Sequence, residues 1–473
     1  MLSYGDPYLD ELLGGLRRGS LVLIAGNPGT GKTILSAQCA HRNAVERGAK
    51  AMYVSMAEPR EVFMGYMRGL GMDFEGLESM GLFRYLDLAS PIDPSFMEGL
   101  LQEALKEAIS TRVDLLVIDS LSAILQLLGR GKARSLVHTL FTRVVRAAGI
   151  TTVAVVEVPR GTRRLGLGVE EFVADVVLLL TRREIEARLG RELEVVKARG
   201  VEVKHPRLLY TLHGGFKALP PMRRWRAEGG RLQPIEGPSG AYSTGVEDLD
   251  AVIGGYPRGA VVHLEVGDNV DAQQYHVFVA PLLASFVASG RGVIMMPGAG
   301  VDAGTVRRLG GLYGLADEDF NLRVRVVQPR PLKAKLGPPP WLVEVEGRSL
   351  DDDYDAWLRA LRGLQESTRR VEVAAYVGAD GVYQLYGEEP LYRLLSLEAL
   401  RTRSEGGLLM VVTKPGLDGR AVRTVSNVSD VHLKLVRRRG ALLIYGVKPR
   451  TELYAVSIDT SRGYPAPRLT PIV

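Results

Sequence analysis

The chain of 473 residues has one cysteine, Cys39, which excludes an internal disulfide and any metal site built from several thiols. A reducing compartment fits that usage. Ser36, Ala37 and Ala40 surround Cys39 in sequence, so it reads as a small apolar filler rather than a reactive thiol. No run of about eighteen apolar residues occurs, and no basic segment followed by an apolar one opens the chain. A cytoplasmic protein with no membrane association is expected. Charge of one sign is also scarce: 60 Lys and Arg against 54 Asp and Glu leave a formal net charge of +6. Spread over this length, that surplus makes no dedicated nucleic-acid face. Arg223-Arg224-Trp225-Arg226 and Arg437-Arg438-Arg439 make only small basic patches. Aromatics are sparse at 7%, and neither a helix-hairpin-helix module nor an aromatic and basic loop for strands is recognisable.

Against these absences stand an apolar share of 46% and a charged share of 24%, the proportions of ordinary globular proteins. The chain is too long for one core, since single domains seldom exceed roughly 250 to 300 residues. Two domains are expected.

The most informative stretch is Gly26-Asn27-Pro28-Gly29-Thr30-Gly31-Lys32-Thr33, which fits the phosphate-loop pattern G-x-x-x-x-G-K-[ST] in full. It follows the apolar run Leu21-Val22-Leu23-Ile24-Ala25 and precedes a helix-like segment opening at Ile34, the strand-loop-helix context this loop requires. Each part has a chemical reason. Glycines let backbone N–H groups curl around a triphosphate, Lys32 neutralises its outer oxygens, and the Thr33 hydroxyl is a ligand for Mg²⁺. Residues 26–34 are therefore the expected ATP-binding segment. Further along, Val113-Asp114-Leu115-Leu116-Val117-Ile118-Asp119 is an apolar strand ending in a carboxylate. Asp119 is the expected partner of Thr33 in holding hydrated Mg²⁺.

Short apolar runs at 51–55, 151–156 and 176–180 alternate with longer helical stretches, the pattern of a parallel α/β sheet. Between Asp93 and Ser110, the spacing of Phe96, Leu100, Leu101, Leu105 and Ile109 predicts a helix with these side chains on one buried face. In such sheets the ligand lies beyond the carboxyl ends of the strands. Glu58, just after 51–55, is the leading carboxylate for orienting and deprotonating water against a γ-phosphate. Glu157, after 151–156, is the alternative, as a phosphate sensor or polar support.

The segment Ser3-Tyr4-Gly5 through Asp10, Gly14-Gly15 and Arg18-Gly19 returns 240 positions later as Ser243-Thr244-Gly245 through Asp250, Gly254-Gly255 and Arg258-Gly259. Identical spacing over such a length indicates an internal duplication with a domain-sized period. Residues 229–240, punctuated by Gly and Pro, separate the copies. The expected division is 1–238 and 239–473. In the second copy the loop position reads Gly267-Asp268-Asn269-Val270-Asp271-Ala272-Gln273-Gln274, without the lysine or the Ser/Thr ligand, and its aspartates would repel phosphate. The later strand 373–378 has no terminal aspartate, although Asp380 lies nearby, and Lys448-Pro449-Arg450 resembles Lys197-Ala198-Arg199.

The opening pattern with Gly14-Gly15, the phosphate loop, Tyr53-Val54-Ser55, Val117-Ile118-Asp119-Ser120, Val169-Glu170-Glu171-Phe172-Val173-Ala174-Asp175 and Lys197-Ala198-Arg199-Gly200 together resemble the KaiC family of RecA-like ATPases. The resemblance runs over residues 1–220. It implies two tandem RecA-like domains, each a mainly parallel sheet flanked by helices, the second degenerate. It further implies a homo-oligomeric ring, usually a hexamer, with ATP between subunits and with Lys197 and Arg199 reaching the neighbour's γ-phosphate as trans-acting cations. The family usually carries two adjacent glutamates where this chain has Ala57-Glu58. Slow Mg-dependent ATP hydrolysis that switches conformation or the binding of a protein partner is therefore expected. The alternatives are an ATP-gated scaffold with negligible turnover and a recombinase-like DNA-binding ATPase.

Overall fold

In the computed structural model the chain divides into two compact units, Met1–Pro221 with Pro471–Val473, and Met222–Thr470. The structure describes residues 1–56, 58–88, 94–123, 146–159, 173–330 and 338–473.

The first unit is a nine-stranded sheet in the order β3-β2-β4-β5-β1-β6-β7-β8-β9. Its strands are β1 (Leu21–Gly26), β2 (Ala51–Ser55), β3 (Phe83–Asp87), β4 (Leu115–Asp119), β5 (Thr151–Glu157), β6 (Val176–Ile185), β7 (Arg188–Ala198), β8 (Arg207–Thr211) and β9 (Lys217–Leu219). The six from β3 to β6 run parallel, and β7 to β9 add an antiparallel edge. β1, β2 and β4 are buried at every position, as expected for central strands covered on both faces. One face packs Val22, Ile24, Tyr53, Phe63 and Leu178. The other packs Leu23, Ala25, Val54, Ile118 and Val156.

The helix predicted from residues 93–110 is present at Pro94–Ser110. Its buried stripe differs from the expected one. Leu101, Ala104, Leu105 and Ala108 are buried, whereas Ile109 is 40% exposed. The reason is geometric: at roughly 100° per residue, Ala108 falls back onto the stripe begun by Leu101 and Ile109 rotates past it. The side chain of Phe96 lies outside the described residues.

The second unit repeats the architecture. After the short pair β10 (Ala241–Tyr242) and β11 (Tyr256–Pro257) come β12 (Val261–Val266), β13 (Gly292–Met296), β14 (Val324–Pro329), β15 (Leu342–Val345), β16 (Val373–Gly378), β17 (Leu408–Thr413), β18 (Val431–Arg438), β19 (Ala441–Lys448), β20 (Tyr454–Asp459) and β21 (Ala466–Pro471). Their order is β15-β14-β13-β16-β17-β12-β18-β19-β20-β21, so β12 occupies the place of β1 and β16 that of β4. Residues 229–240, which lack any helical or strand period, are nonetheless fastened to this unit. Leu232 is buried, its N–H donates to the Tyr313 carbonyl, and the Gly229 N–H donates to the Gly463 carbonyl.

The repeated opening segment explains itself as a structural cap. Ser3 Oγ donates to Asp10 (2.5 Å), and the Tyr4 N–H donates to the other oxygen of the same carboxylate (2.6 Å). Ser243, Thr244 and Asp250 reproduce the arrangement. Gly5 and Gly245 both have positive φ, and a Cβ at either would stand within 2.7 Å of the helix backbone beneath it, at Cys39 and Leu282 respectively. Only glycine meets both demands.

Five aromatic rings support the site edge of the first unit: Phe63 lies 4.7 Å from Tyr53, 4.8 Å from Tyr85 and 5.3 Å from Phe74, and Phe83 stacks beyond it. Phe63→Ala should cost about 3 to 5 kcal/mol of unfolding free energy, read by denaturant titration.

Candidate functional site

β1 ends at Gly26, paired with Glu157 of β5 on one side and Leu180 of β6 on the other. The loop 27–31 then turns directly into the helix Lys32–Arg47. A Cβ on Gly26 would stand 2.5 Å from the Leu180 carbonyl oxygen, so the turn requires glycine there. Gly31, at the helix N-cap, has a left-handed backbone and offers no side chain to the first-turn N–H groups of Lys32, Thr33 and Ile34. These donors are left for a ligand, and the helix dipole adds positive potential. Within the loop, Thr30 Oγ1 donates to the Asn27 carbonyl (2.8 Å), and Asn27 Nδ2 reaches across to the Val158 carbonyl (2.8 Å). Pro28 and Gly29 form the exposed crest.

Lys32 is 8% exposed and its Nζ donates to the Asn27 carbonyl at 3.0 Å. Burial pulls its pKa below the ordinary lysine value, while Glu157 and Asp119 oppose that shift. An ammonium held this way is only partly neutralised, and a triphosphate would complete it.

β2 and β4 are parallel neighbours with Ser55 opposite Asp119, so the residues after each strand emerge at one edge. Thr33 Oγ1 donates to Asp119 Oδ2 at 2.6 Å, bringing the two expected magnesium ligands together. The same oxygen accepts from the Tyr53 hydroxyl (2.8 Å), which in turn meets Ser36 Oγ (3.1 Å). Asp119 is 6% exposed; burial raises its carboxyl pKa, and the hydrogen bonds from Thr33 and Tyr53 offset part of that. A hard cation beside this carboxylate would replace the missing solvation, and a hydroxyl plus a carboxylate is the oxygen donor set that magnesium takes. Tyr53 belongs to a motif noted in the sequence, but its contact with Asp119 depends on β2 lying beside β4, which no local pattern states.

Glu58 is held through its backbone: Ser55 Oγ and the Tyr85 hydroxyl both donate to the Glu58 carbonyl, at 3.0 and 2.8 Å. Its Oε2 is buried and has no hydrogen-bond partner among the described residues. Burial first, and Asp119 second, raise its pKa. A buried, unsatisfied carboxylate oxygen at the edge of a phosphate site is a place for a water molecule. Ala57, and residues 169–172 of the family pattern, lie outside the described residues.

Lys197 and Arg199 stand elsewhere. Lys197 is paired with Val177, and the Arg199 N–H donates to the carbonyl of Asp175, whose own N–H donates to Leu21 at the start of β1. Arg199 Nη1 lies 3.7 Å from Asp175, which Arg146 also engages at 2.6 Å. From Leu21 the phosphate loop lies at the other end of β1, roughly 17 Å away, and Lys197, in register with Leu23 through Val177, is still roughly 10 Å along the strand from Gly26. In one chain the fold does not bring these cations to the loop.

In the second unit the corresponding helix, Ala272–Ala288, is capped by its own side chains. Asp271 accepts from the Gln274 N–H at 3.0 Å, and the Gln274 side chain accepts from the Asp271 N–H at 3.1 Å. An anion is already built into the position where phosphate would sit. Just beyond β16, Asp380 Oδ2 pairs with Lys414 at 3.1 Å and accepts from the Ala299 N–H, while its buried Oδ1 has no hydrogen-bond partner among the described residues. Register places Lys448 opposite His432 as Lys197 is opposite Val177, and Lys448 Nζ donates inward to the Ser426 carbonyl (2.7 Å).

Residues 2–215 match the family described as the ATPase KaiC, and 231–308 match GvpD basic region 2. The UPF0273 protein of Pyrococcus horikoshii is 32% identical over 41% of this chain and 84% of its own length. The chain belongs to the KaiC family of RecA-like ATPases. Across both units it is similar to Protein GvpD2 of Halobacterium salinarum, at 26% identity over 96% of this chain and 94% of that one. The circadian clock protein KaiC3 of Synechocystis is 29% identical over 45% of this chain and 43% of its own length. KaiC-type sequence similarity is thus strongest in the unit that holds the complete loop. No described helix is long and apolar enough to cross a membrane.

The raised carboxyls carry a pH dependence. The folded chain holds the protons of Asp119 and Glu58 to higher pH than the unfolded chain does. Their stabilising contribution is complete below the ordinary carboxylate value and is lost as pH rises through the raised folded value. Without nucleotide and metal, Asp119→Asn should flatten the decline in thermal midpoint over that range, because asparagine keeps an oxygen acceptor and removes the charge. Superimposable melting profiles of the two proteins would contradict a carboxyl pKa raised by burial at Asp119.

Proposed function

We propose that the first unit binds Mg-ATP at residues 26–34 and hydrolyses it slowly at an interface between copies of this chain, and that nucleotide state switches conformation or the binding of a protein partner. The observation that carries this is the uncapped helix end at Gly31 beside the Thr33–Asp119 pair, with a buried unsatisfied oxygen on Glu58. Asn27, Pro28, Gly29, Thr30 and Gly31 wrap the phosphates with Gly26 at the turn, Lys32 meets their charge, and Thr33 and Asp119 hold magnesium. When bound, the ion supplies charge neutralisation at the phosphate oxygens. Glu58 orients a water and accepts its proton; its raised pKa suits a base.

Lys197 and Arg199 complete the site from a neighbouring subunit, which is why a ring is proposed. Their position at the opposite end of β1 supports this, since no side chain spans that distance. A hexamer is the ring the family resemblance favours, in the cytoplasm. The second unit acts as a scaffold or partner surface, its loop position occupied by Asp271. One carboxylate, Glu58, serves where the family resemblance implies two adjacent glutamates, which favours slow turnover.

The interface reading has a direct test. Lys32→Ala should abolish ATP binding, measured at equilibrium with labelled nucleotide, while Arg199→Ala should bind ATP and lose on the order of a thousandfold in turnover. Mixing the two variants should restore part of the activity, because a Lys32→Ala subunit still offers its Arg199 to a neighbour's intact loop. A mixture as inactive as the Arg199→Ala protein alone would exclude the shared site. Glu58→Gln should lower phosphate release about a hundredfold or more while leaving ATP affinity within about threefold; an unchanged rate would remove Glu58 from the chemistry.

A further inference from the structure

The backbone of the phosphate loop raises an accounting question that the loop itself does not answer. A peptide's N–H and C=O point in opposite directions, so a loop that turns its N–H groups toward a ligand turns its carbonyls back into the protein. Those carbonyls need donors. Asn27's is met within the loop, by Thr30 and Lys32. Those of Gly29 and Thr30 are met from the strands β6, β7 and β8 beside β1. The Gly29 carbonyl accepts from Arg182 Nη2 of β6 at 2.9 Å and from Arg191 Nη1 of β7 at 3.0 Å. The Thr30 carbonyl accepts from the Tyr210 hydroxyl of β8 at 2.7 Å. Arg191 is 6% exposed and Tyr210 fully buried, its ring stacked on Phe216 at 4.9 Å.

We propose that Arg191 and Tyr210, with Arg182, are positioning residues that set the loop's affinity for a nucleoside triphosphate. The Gly29 carbonyl shares a peptide with the Thr30 N–H, and the Thr30 carbonyl shares one with the Gly31 N–H. A donor on the carbonyl polarises that peptide and strengthens the N–H on its other side, and two guanidinium groups do so with full charge. The clamp thus fixes the direction of the loop's donors and delivers positive potential through the peptide to the phosphates. No clamp residue needs to touch the ligand. This rests on the reading of residues 26–33 as the nucleotide site.

The duplication supplies an independent control. Matched strand by strand through their pairing registers, Arg191 corresponds to Leu442, because Arg182 faces Arg191 and Arg437 faces Leu442. Tyr210 corresponds to Val456 by the same alignment of β8 with β20. Arg182 corresponds to Arg437, which donates instead to the Gly440 carbonyl. The unit with a helix capped by Asp271 has therefore lost the buried arginine and the tyrosine hydroxyl, while the apolar framework around them persists. A purely structural pair would have had the same reason to remain in both sheets.

Tyr210→Phe is the cleaner variant, since it removes one hydroxyl and keeps the ring; Arg191 also donates to the Val473 carbonyl, so its replacement removes more than the loop contact. Equilibrium binding of ATP to the full chain, KM and kcat, and the melting temperature without nucleotide are measured for Tyr210→Phe, Arg191→Leu, Arg191→Lys and Lys32→Ala. The expected result is an ATP dissociation constant and KM raised about tenfold in Tyr210→Phe and more in Arg191→Leu, partly recovered in Arg191→Lys, with kcat at saturating ATP within about twofold and a nucleotide-free melting temperature near wild type in Tyr210→Phe. ATP affinity in Tyr210→Phe equal to wild type, or weakened only as far as its melting temperature falls, overturns the clamp. Absence of ATP binding by the wild-type chain overturns instead the reading on which it rests.

Discussion

The first-turn N–H groups of a helix that leaves a central strand have no partners within the helix, and some acceptor must take them. This chain meets that requirement in both available ways. After β1 the N-cap is Gly31, which offers nothing, and the donors stay open toward solvent. After β12 the N-cap is Asp271, whose carboxylate takes the Gln274 N–H and whose own N–H is taken by the Gln274 side chain. The first arrangement is less stable by itself and can bind an anion. The second is worth about 1 kcal/mol to the fold and repels one. The two units share a sheet order but differ in how one helix terminus is capped.

An open helix end is the first of several costs concentrated at that edge. Lys32 and Asp119 are charged groups removed from water, Glu58 keeps a buried oxygen without a partner, and the pKa shifts of all three are in the direction that disfavours ionisation. Such a site persists only where the surroundings over-determine it. The surroundings here are the buried strands β1, β2 and β4, the aromatic cluster around Phe63, and the Ser3–Asp10 cap that fixes the chain's entry beneath the first helix. The cap recurs unchanged in kind at Ser243–Asp250, where no phosphate loop follows. It therefore answers to folding and not to nucleotide.

How much of this could be read from the sequence depends on how far apart the contacting residues lie. The phosphate loop was legible because strand, glycines, lysine and threonine are contiguous, and Asp119 because a carboxylate closing an apolar strand has a local signature. The parallel sheet and the duplication were legible from periodicity and spacing. Tyr210 and Arg191 were not, since they meet Thr30 and Gly29 across the sheet from positions 180 and 162 residues away. Nothing local distinguishes Tyr210 from any aromatic in a buried strand. Residues 229–240 show the same limit: a segment without a period is fastened by long-range backbone hydrogen bonds, as Leu232 is by Tyr313. Ile109 failed by one position because an apolar residue near a helix end satisfies spacing while rotating off the face.

The fate of the two lysines at the amino end of the sheet follows the same logic. Lys197 and Lys448 hold equivalent register positions, each opposite the second residue of its neighbouring strand. Lys448 is turned inward onto the Ser426 carbonyl, within a polar cluster where Glu265 meets both Lys434 (2.8 Å) and His432 (3.0 Å). The corresponding positions on the first sheet are Leu23, Ala25, Val177 and Leu179, all apolar. An apolar face of this kind offers an ammonium no acceptor, and Lys197 lies near the end of its strand, at the register of the second residue of β6. On the proposed reading that is where a neighbour's triphosphate would meet it. In the second sheet the polar face removes this constraint, and with Asp271 already at the helix terminus an outward cation there would have no anion to serve. The second unit thus differs from the first at the helix terminus, at the positions of the clamp and in the polar face that holds Lys448, and all three differences suit a helix end that already carries its own anion.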